Sequence, residues 1–98
     1  MDVAFEDRYL DRLETDWEFT CGLPNPVVKA FRKRLQMIRA APDENDLYVL
    51  RSVNFERLKG DKSHQYSMRL DDQWRLIIEL QTEASNKVVV IISIEDYH

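Results

Sequence analysis

The sequence is poor in cysteine, histidine and long apolar runs. Cys21 is the only cysteine among 98 residues, so no disulfide can form within the chain. One cysteine and two histidines do not make a zinc site, and we expect no metal ion and no other cofactor. No stretch approaches the ~20 apolar residues of a membrane span, and the acidic N-terminus shows no secretory signal. These absences predict a cytoplasmic protein with no membrane contact.

The motifs of nucleotide-binding and metalloprotease sites are also missing. The chain contains neither a dinucleotide-binding glycine motif, nor a P-loop, nor a His-Glu-x-x-His sequence. Its length suits a single domain over residues 1–98 with one modest core.

Charge is distributed unevenly along the chain. The net charge is -4, but residues 1–18 sum to -5, residues 19–75 to +4 and residues 76–98 to -3. The middle of the chain could therefore form a basic surface in an acidic protein. The alternative is that these charged residues only occupy the solvent-exposed faces of ordinary helices and strands.

The first half of the chain predicts helices. Residues 3–5 suit a short strand and residues 7–15 a helix, and Asn25-Pro26 predicts the start of a longer helix that runs to about Ala41. Asn25 would be its N-cap and Pro26 its first residue. A buried stripe is expected on this helix, formed by Val28, Phe31, Leu35 and Ile38. Residues 43–50 suit a loop with one helical turn.

The second half changes to the period of two that is typical of strands. Short strands are predicted near residues 55–58, 66–70 and 74–80, followed by a polar connection over 82–87. Residues 88–94 are apolar and β-branched apart from Ser93, which favours a central strand covered on both sides. The pattern predicts an α+β fold in which two N-terminal helices pack on one face of an antiparallel sheet.

The alternation also predicts a register. If the apolar residues of two successive strands share a face, Leu70 lies opposite Trp74, Met68 opposite Leu76, and Tyr66 opposite Ile78. The same register puts Arg69 across from Arg75 on the other face, a like-charge pair that costs roughly 0.2–1 kcal/mol. A bound phosphate would relieve that repulsion. Alternatively, Glu79 or Asp96 neutralises the two arginines.

The C-terminal residues bring acid–base chemistry together. Asp96, Tyr97 and His98 supply a carboxylate, a phenol and an imidazole directly after a strand. RNA can be cleaved without a metal ion when a base takes the 2′-OH proton, an acid protonates the departing 5′-oxygen and cations stabilise the phosphorane. His98 and Asp96 could be base and acid, while Tyr97 stacks on a nucleobase or donates a proton. The alternative is an ordinary solvated terminus.

Further basic residues lie in the turn that follows the first short strand. Lys59 and Lys62 flank Gly60 and could grip a phosphate, although a charged hairpin tip is the simpler interpretation. For His64, an ordinary surface histidine is the preferred interpretation, and a proton donor is the alternative.

Four segments taken in order carry a family resemblance. Leu-Lys-Gly-Asp at 58–61, Gln-Tyr-Ser-Met-Arg-Leu at 65–70, Asp-Gln-Trp-Arg at 72–75 and Glu-Asp-Tyr-His at 95–98 resemble the HigB toxins of the RelE/ParE toxin–antitoxin superfamily. The resemblance covers the chain from about residue 54 to its end.

The resemblance implies a RelE-like fold and a ribosome-dependent endonuclease that cleaves messenger RNA in the A site. It implies a helix-turn-helix antitoxin, HigA-like, as the partner, with operator DNA bound only through that antitoxin. By position, Lys59, Arg75, Asp96, Tyr97 and His98 match the active-site residues of the family.

One position departs from the family pattern. Several members have a histidine just before Leu-Lys-Gly-Asp, where this chain has Glu56. Glu56 could be a base if its pKa is raised, or it could hold Lys59 or Arg75 in place. Two other functions stay open: a ParE-like, non-catalytic inhibitor of DNA gyrase, and a weakened toxin that acts mainly as an antitoxin-bound regulator.

Overall fold

A computed structural model describes residues 1–62 and 64–97 of the chain. In chain order the elements are β1 (Asp2–Phe5), α1 (Arg8–Thr15), α2 (Asn25–Ala40), the one-turn helix α3 (Asn45–Tyr48), β2 (Glu56–Arg57), β3 (Gln65–Arg69), β4 (Trp74–Glu83) and β5 (Asn86–Asp96). Two 3₁₀ turns, Arg51–Val53 and Gly60–Lys62, precede β2 and β3. His98 lies outside the described residues, so its predicted role is not addressed by the geometry.

The start of α2 differs from the sequence prediction by one residue. Its N-cap is Pro24, and Asn25 is already helical. The Pro24 carbonyl accepts hydrogen bonds from the backbone N–H groups of Val27 and Val28 at 3.0 and 3.1 Å. The prediction that Asn25 is the N-cap is therefore wrong, because the extended backbone and carbonyl of Pro24 begin the helix instead.

The sheet has five strands in the order β1-β5-β4-β3-β2. All neighbours are antiparallel except β1 and β5, which run parallel. The predicted α+β class and the antiparallel run of β2 to β5 are confirmed, and β1 adds one parallel pairing. The two helices that follow β1 carry the chain away from the sheet edge, and such a long connection is what lets β1 run parallel to the last strand.

The β4–β5 hairpin is longer than predicted. Thr82 pairs with Lys87 and Glu83 with Asn86, so the predicted polar connection over 82–87 is wrong. Backbone hydrogen bonds extend the ladder through these polar residues because they do not depend on apolar side chains. The central strand is β4, and β5 lies second from the edge with Val90 and Ile92 only half-buried.

The core lies between the helices and one face of the sheet. The predicted stripe on α2 is confirmed, since its members are at most 3% exposed: Val28, Phe31, Leu35 and Ile38. They belong to one apolar cluster with Met68, Leu76 and Ile78 of the sheet. Burying each such side chain contributes about 1.5–3 kcal/mol. No helix in the described part of the chain is long and apolar enough to cross a membrane.

The other face of the sheet is called the open face here, and it bears four of the predicted functional residues: Glu56, Arg69, Arg75 and Tyr97. Strand alternation assigns to it Gln65, Ser67, Arg69, Arg75, Ile77, Glu79 and Glu95. Ser67 and Ile77 are only 4% and 1% exposed, so the longer side chains around them cover the middle of this face.

Candidate functional site

Arg69 and Arg75 lie directly opposite each other on β3 and β4. The predicted register is confirmed, since Met68 faces Leu76 and Tyr66 faces Ile78 in the same ladder. Leu70 donates its backbone N–H to the Trp74 carbonyl at 2.9 Å, which completes the predicted set. The open face therefore carries two neighbouring guanidinium groups where β3 ends and β4 begins.

Local contacts hold each guanidinium near the β3–β4 turn. Arg69 donates to the carboxylate of Asp72. Arg75 donates through Nη1 to the backbone carbonyls of Asp71 and Trp74 at 2.6 and 3.2 Å. Asp72 is almost fully exposed, so its ion pair with Arg69 is screened by water. These contacts orient the two cations through backbone carbonyls and one exposed carboxylate.

Glu79, one of the two carboxylates expected to neutralise the arginine pair, has other partners. It accepts a hydrogen bond from Gln65 at 3.2 Å, and its Oε2 lies 3.6 Å from Nε2 of His64. In the ladder Glu79 pairs with Gln65, four residues along β3 from Arg69. The contacts of Glu79 therefore lie at the Gln65 end of β3, away from the arginine pair.

Arg34 of α2 adds a third cation beside this pair. Its Nε donates to the Arg69 carbonyl at 2.9 Å. Burial, followed by the positive charge of Arg69, lowers the pKa of the Arg34 guanidinium. The cationic region thus continues from the open face to the helix side of the protein.

Glu95 is a further residue beside the arginine pair, and the sequence pattern did not predict it. It lies opposite Arg75 in the β4–β5 ladder, so Arg69, Arg75 and Glu95 form one row across three strands. Ser93 Oγ donates to Glu95 Oε2 at 2.8 Å and fixes the carboxylate. The signal was present in the sequence, because Glu95 is two residues from Tyr97 and strand alternation gives them the same face.

Tyr97 lies beside Arg75, whereas Asp96 alternates to the opposite side. The Cζ atom of Arg75 is 5.7 Å from the Tyr97 ring centroid, and the Tyr97 N–H donates to the Gln73 carbonyl at 2.6 Å. Asp96 pairs with Trp74, whose side chain packs against the core. The Oδ2 atom of Asp96 accepts a hydrogen bond from Gln73 Nε2 at 3.0 Å. Two successive residues of the predicted acid–base set therefore point to different sides of β5.

The remaining predicted residues lie in β2 and in the turn before β3, outside the Arg69–Arg75 row. Glu56 pairs with Ser67, so it lies on the open face one row away from Arg69. Lys59, Lys62 and His64 all precede Gln65, and β3 separates that residue from Arg69 by about 13 Å at ~3.3 Å per residue. Gly60 has φ +69°, the left-handed conformation that glycine adopts without strain. The structure therefore divides the predicted site into two groups.

Metal ligands are not clustered in the part of the chain that the structure describes. Over residues 1–62 and 64–97, no group of three or more histidine, cysteine, aspartate or glutamate side chains is placed to hold an ion.

Comparison with known proteins identifies the family. Residues 3–98 match the family of RelE-like toxins of the type II toxin–antitoxin system HigB, and the chain belongs to that family. Toxin HigB-1 of Vibrio cholerae is 29% identical over 79 residues, which are 81% of this chain and 83% of that protein. An uncharacterized protein of Haemophilus influenzae is 27% identical over 84 residues, 86% of this chain and 83% of that protein.

Two solved structures share the fold. The YoeB/ParE toxin from Agrobacterium tumefaciens superposes with a TM-score of 0.59 at 16% identity, covering 100% of both chains. The YoeB–YefM complex from Staphylococcus aureus gives a TM-score of 0.62 at 18% identity, covering 100% of this chain and 97% of that one. The predicted RelE-like fold is thus confirmed, and the chain is a toxin of a type II toxin–antitoxin system.

Proposed function

We propose that this toxin is a ribosome-dependent endonuclease that cleaves translated messenger RNA in the A site and so inhibits translation. The observation that carries the proposal is the Arg69–Arg75 pair on the open face, with Tyr97 beside Arg75. Two like charges at one cross-strand position destabilise a fold. The same two charges stabilise the negative charge that develops on a phosphate group during transfer. Membership of the HigB-like toxin family supports the same activity.

The proposed chemistry assigns each group a role. Arg69 and Arg75 stabilise the crowded phosphorane, and Tyr97 stacks on a base or donates a proton. Asp96 and His98 stay the predicted acid–base residues, with Glu95 as a further candidate base because it shares the open face with both arginines.

The second group of residues lies where it could contact RNA away from the scissile phosphate. Lys59 and Lys62 precede β3 and are exposed, so they are proposed to bind neighbouring phosphates. Glu56 and His64 are proposed to orient these cations or to contact RNA directly.

We further propose that a helix-turn-helix antitoxin of the HigA type binds and neutralises this toxin in the cytoplasm, and that the pair contacts operator DNA only through the antitoxin. Two observations support a protein partner: the family is defined as part of a toxin–antitoxin system, and the Staphylococcus aureus neighbour is a YoeB–YefM complex.

The test is primer extension on a reporter message in a translating extract. Arg75→Gln should lower cleavage by about 10²–10³-fold, because it removes one donor to the developing charge. Tyr97→Phe tests the phenol, and Tyr48→Phe is its matched control, since Tyr97 and Tyr48 are 45% and 49% exposed and Tyr48 lies on α3.

Full cleavage by Arg75→Gln would contradict the proposed site. An uncut message together with inhibited DNA supercoiling would favour the ParE-like alternative.

A further inference from the structure

A second cationic surface lies on α2, on the helix side of the protein. A groove of about 630 Å³ runs along the exposed side of this helix, and Trp17, Lys29, Arg32, Lys33 and Arg34 are among its lining residues. The described residues that line it include no carboxylate, although the chain has 18 acidic residues. The groove therefore attracts an anionic ligand.

Trp17 is fixed in this groove by Arg32. Arg32 Nε donates to the Leu13 carbonyl at 3.0 Å and its Nη2 to the Asp16 carbonyl at 2.9 Å, so the guanidinium ties α2 to the end of α1. The Cζ atom of Arg32 lies 4.8 Å from the Trp17 ring centroid. Trp17 nevertheless stays 81% exposed. An indole that is held by a cation and open to solvent is a stacking platform.

Lys29 and Lys33 supply the charge beside this platform. They are four residues apart on α2, so their Cβ atoms are about 5–6 Å apart on the same side of the helix. Both are exposed, and neither forms an ion pair with a carboxylate in the part of the chain that the structure describes. Neighbouring ammonium groups of this kind suit successive phosphates of a nucleic acid strand.

We propose that the α2 groove is a second RNA-binding site, which stacks one unpaired base on Trp17 and binds the adjoining phosphates through Lys29 and Lys33. An acidic peptide would satisfy the lysines but would leave the open indole face unused, whereas single-stranded RNA uses both. The site goes beyond the proposed cleavage, because binding here requires no reaction.

The groove is also connected to the open face. Arg34 lines the groove and donates to the Arg69 carbonyl, so a cationic path runs from Arg75 through Arg69 to α2. An RNA strand or loop that occupies the open face can extend along this path.

Tryptophan fluorescence tests the site directly. The chain has two tryptophans, so the Trp74→Phe variant reports on Trp17 alone. A short oligouridylate should quench this signal saturably. In the Lys29→Gln/Lys33→Gln variant, affinity should fall about tenfold or more, and the slope of log K against log salt should decrease by about 1.4, as expected for two lost phosphate contacts at ~0.7 each.

Matched variants separate this site from the proposed active site. Arg8→Gln/Arg51→Gln removes the same charge from exposed positions outside the groove and should leave the quenching unchanged. Arg69→Gln/Arg75→Gln should abolish cleavage but keep the Trp17 quenching, so failure of the proposed enzyme would not hide the groove.

Three outcomes would overturn the inference. The first is a Lys29→Gln/Lys33→Gln variant that binds RNA as tightly as the parent. The second is the absence of Trp17 quenching while labelled RNA still binds in an anisotropy assay. The third is an oligoglutamate of equal charge that binds the groove as tightly as RNA does, which would make it a surface for an acidic protein.

Discussion

Side-chain alternation separates Glu95 from Asp96 at the end of β5. Glu95 lies in the row of Arg69 and Arg75, while Asp96 lies opposite Trp74. A base that works on a phosphate held by the two arginines has to reach the same face as they do. At the scale of single residues, Glu95 is therefore better placed than Asp96 to be the base of the proposed cleavage.

Replacing this carboxylate should reveal its role. We expect Glu95→Gln to lower the cleavage rate by about 10²-fold or more, because a general base contributes 10²–10⁴-fold. Glu79→Gln is the matched control, since Glu79 lies on the same face but pairs with Gln65 rather than with an arginine. Single-turnover cleavage of a reporter message measures both. Normal cleavage by Glu95→Gln would contradict the role of Glu95 as a base, and a larger loss in Asp96→Asn would show that Asp96 is the more important carboxylate.

At the scale of elements, the β4–β5 hairpin turn is built from unfavourable residues. Ala84 and Ser85 have φ values of +46° and +72°, and Glu83 pairs with Asn86 on either side of them. A two-residue turn with both φ values positive is the type that favours Asn-Gly. A left-handed conformation costs an ordinary L-residue roughly 1–2 kcal/mol.

The turn is therefore a place where stability can be raised. We expect Ala84→Asn/Ser85→Gly to increase the free energy of unfolding by about 1 kcal/mol. Urea unfolding at neutral pH measures the change as a higher midpoint at an unchanged slope. Cleavage should be unaffected, because the turn lies at the opposite end of β4 from Arg75. A lower midpoint would contradict the assigned strain.

An ion pair joins the start of α3 to β5. Lys87 Nζ donates to Glu44 Oε2 at 2.6 Å. This hydrogen bond lowers the pKa of the Glu44 carboxyl and raises the pKa of Lys87. The contribution of Glu44 is therefore present above its unfolded pKa and is lost as the pH falls through the lowered folded value. The contribution of Lys87 is present below its unfolded pKa and is lost as the pH rises through the raised folded value.

The pH dependence of stability checks this pair. Glu44→Gln should be slightly less stable than the parent at neutral pH, and the difference should vanish in acid once Glu44 is protonated in the folded parent. The effect should also shrink in high salt, because both side chains are partly exposed. Urea midpoints across the acid range measure it, with Glu83→Gln as a control carboxylate at the exposed end of the hairpin. A difference that persists in acid would mean that Glu44 acts through packing.

The sequence predicted best those helices and strands in which buried apolar residues recur at a regular spacing. The α2 stripe and the β3–β4 register follow from apolar spacing, and the register alone placed Arg69 opposite Arg75. The parallel partner of β1 and the length of the β4–β5 hairpin depend on backbone pairing between distant or polar segments, which side-chain patterns do not reveal. The position of Glu95 was not predicted because the apolar pattern of β5 ends at Ile94.

At the scale of the whole molecule, the acidic net charge is compatible with RNA binding because ion pairs use part of the acidic N-terminal segment. Glu14 accepts from Arg39 at 2.8 and 2.9 Å, and Asp16 pairs with Arg12 at 3.1 Å. In the Arg69–Arg75 row Glu95 is the one acidic member, and the described residues that line the α2 groove include no carboxylate. Local fields at these two surfaces, rather than the net charge of -4, would then govern the encounter with RNA.

Ribosome-dependent cleavage is the central claim, and one measurement tests it most directly. Primer extension on a reporter message would compare purified message, a translating extract, and the same extract with an inhibitor that blocks initiation. We predict cuts within the reading frame in the translating extract alone, and their loss in Arg75→Gln. Cuts on purified message would contradict ribosome dependence, and an intact message under active translation would contradict the nuclease itself.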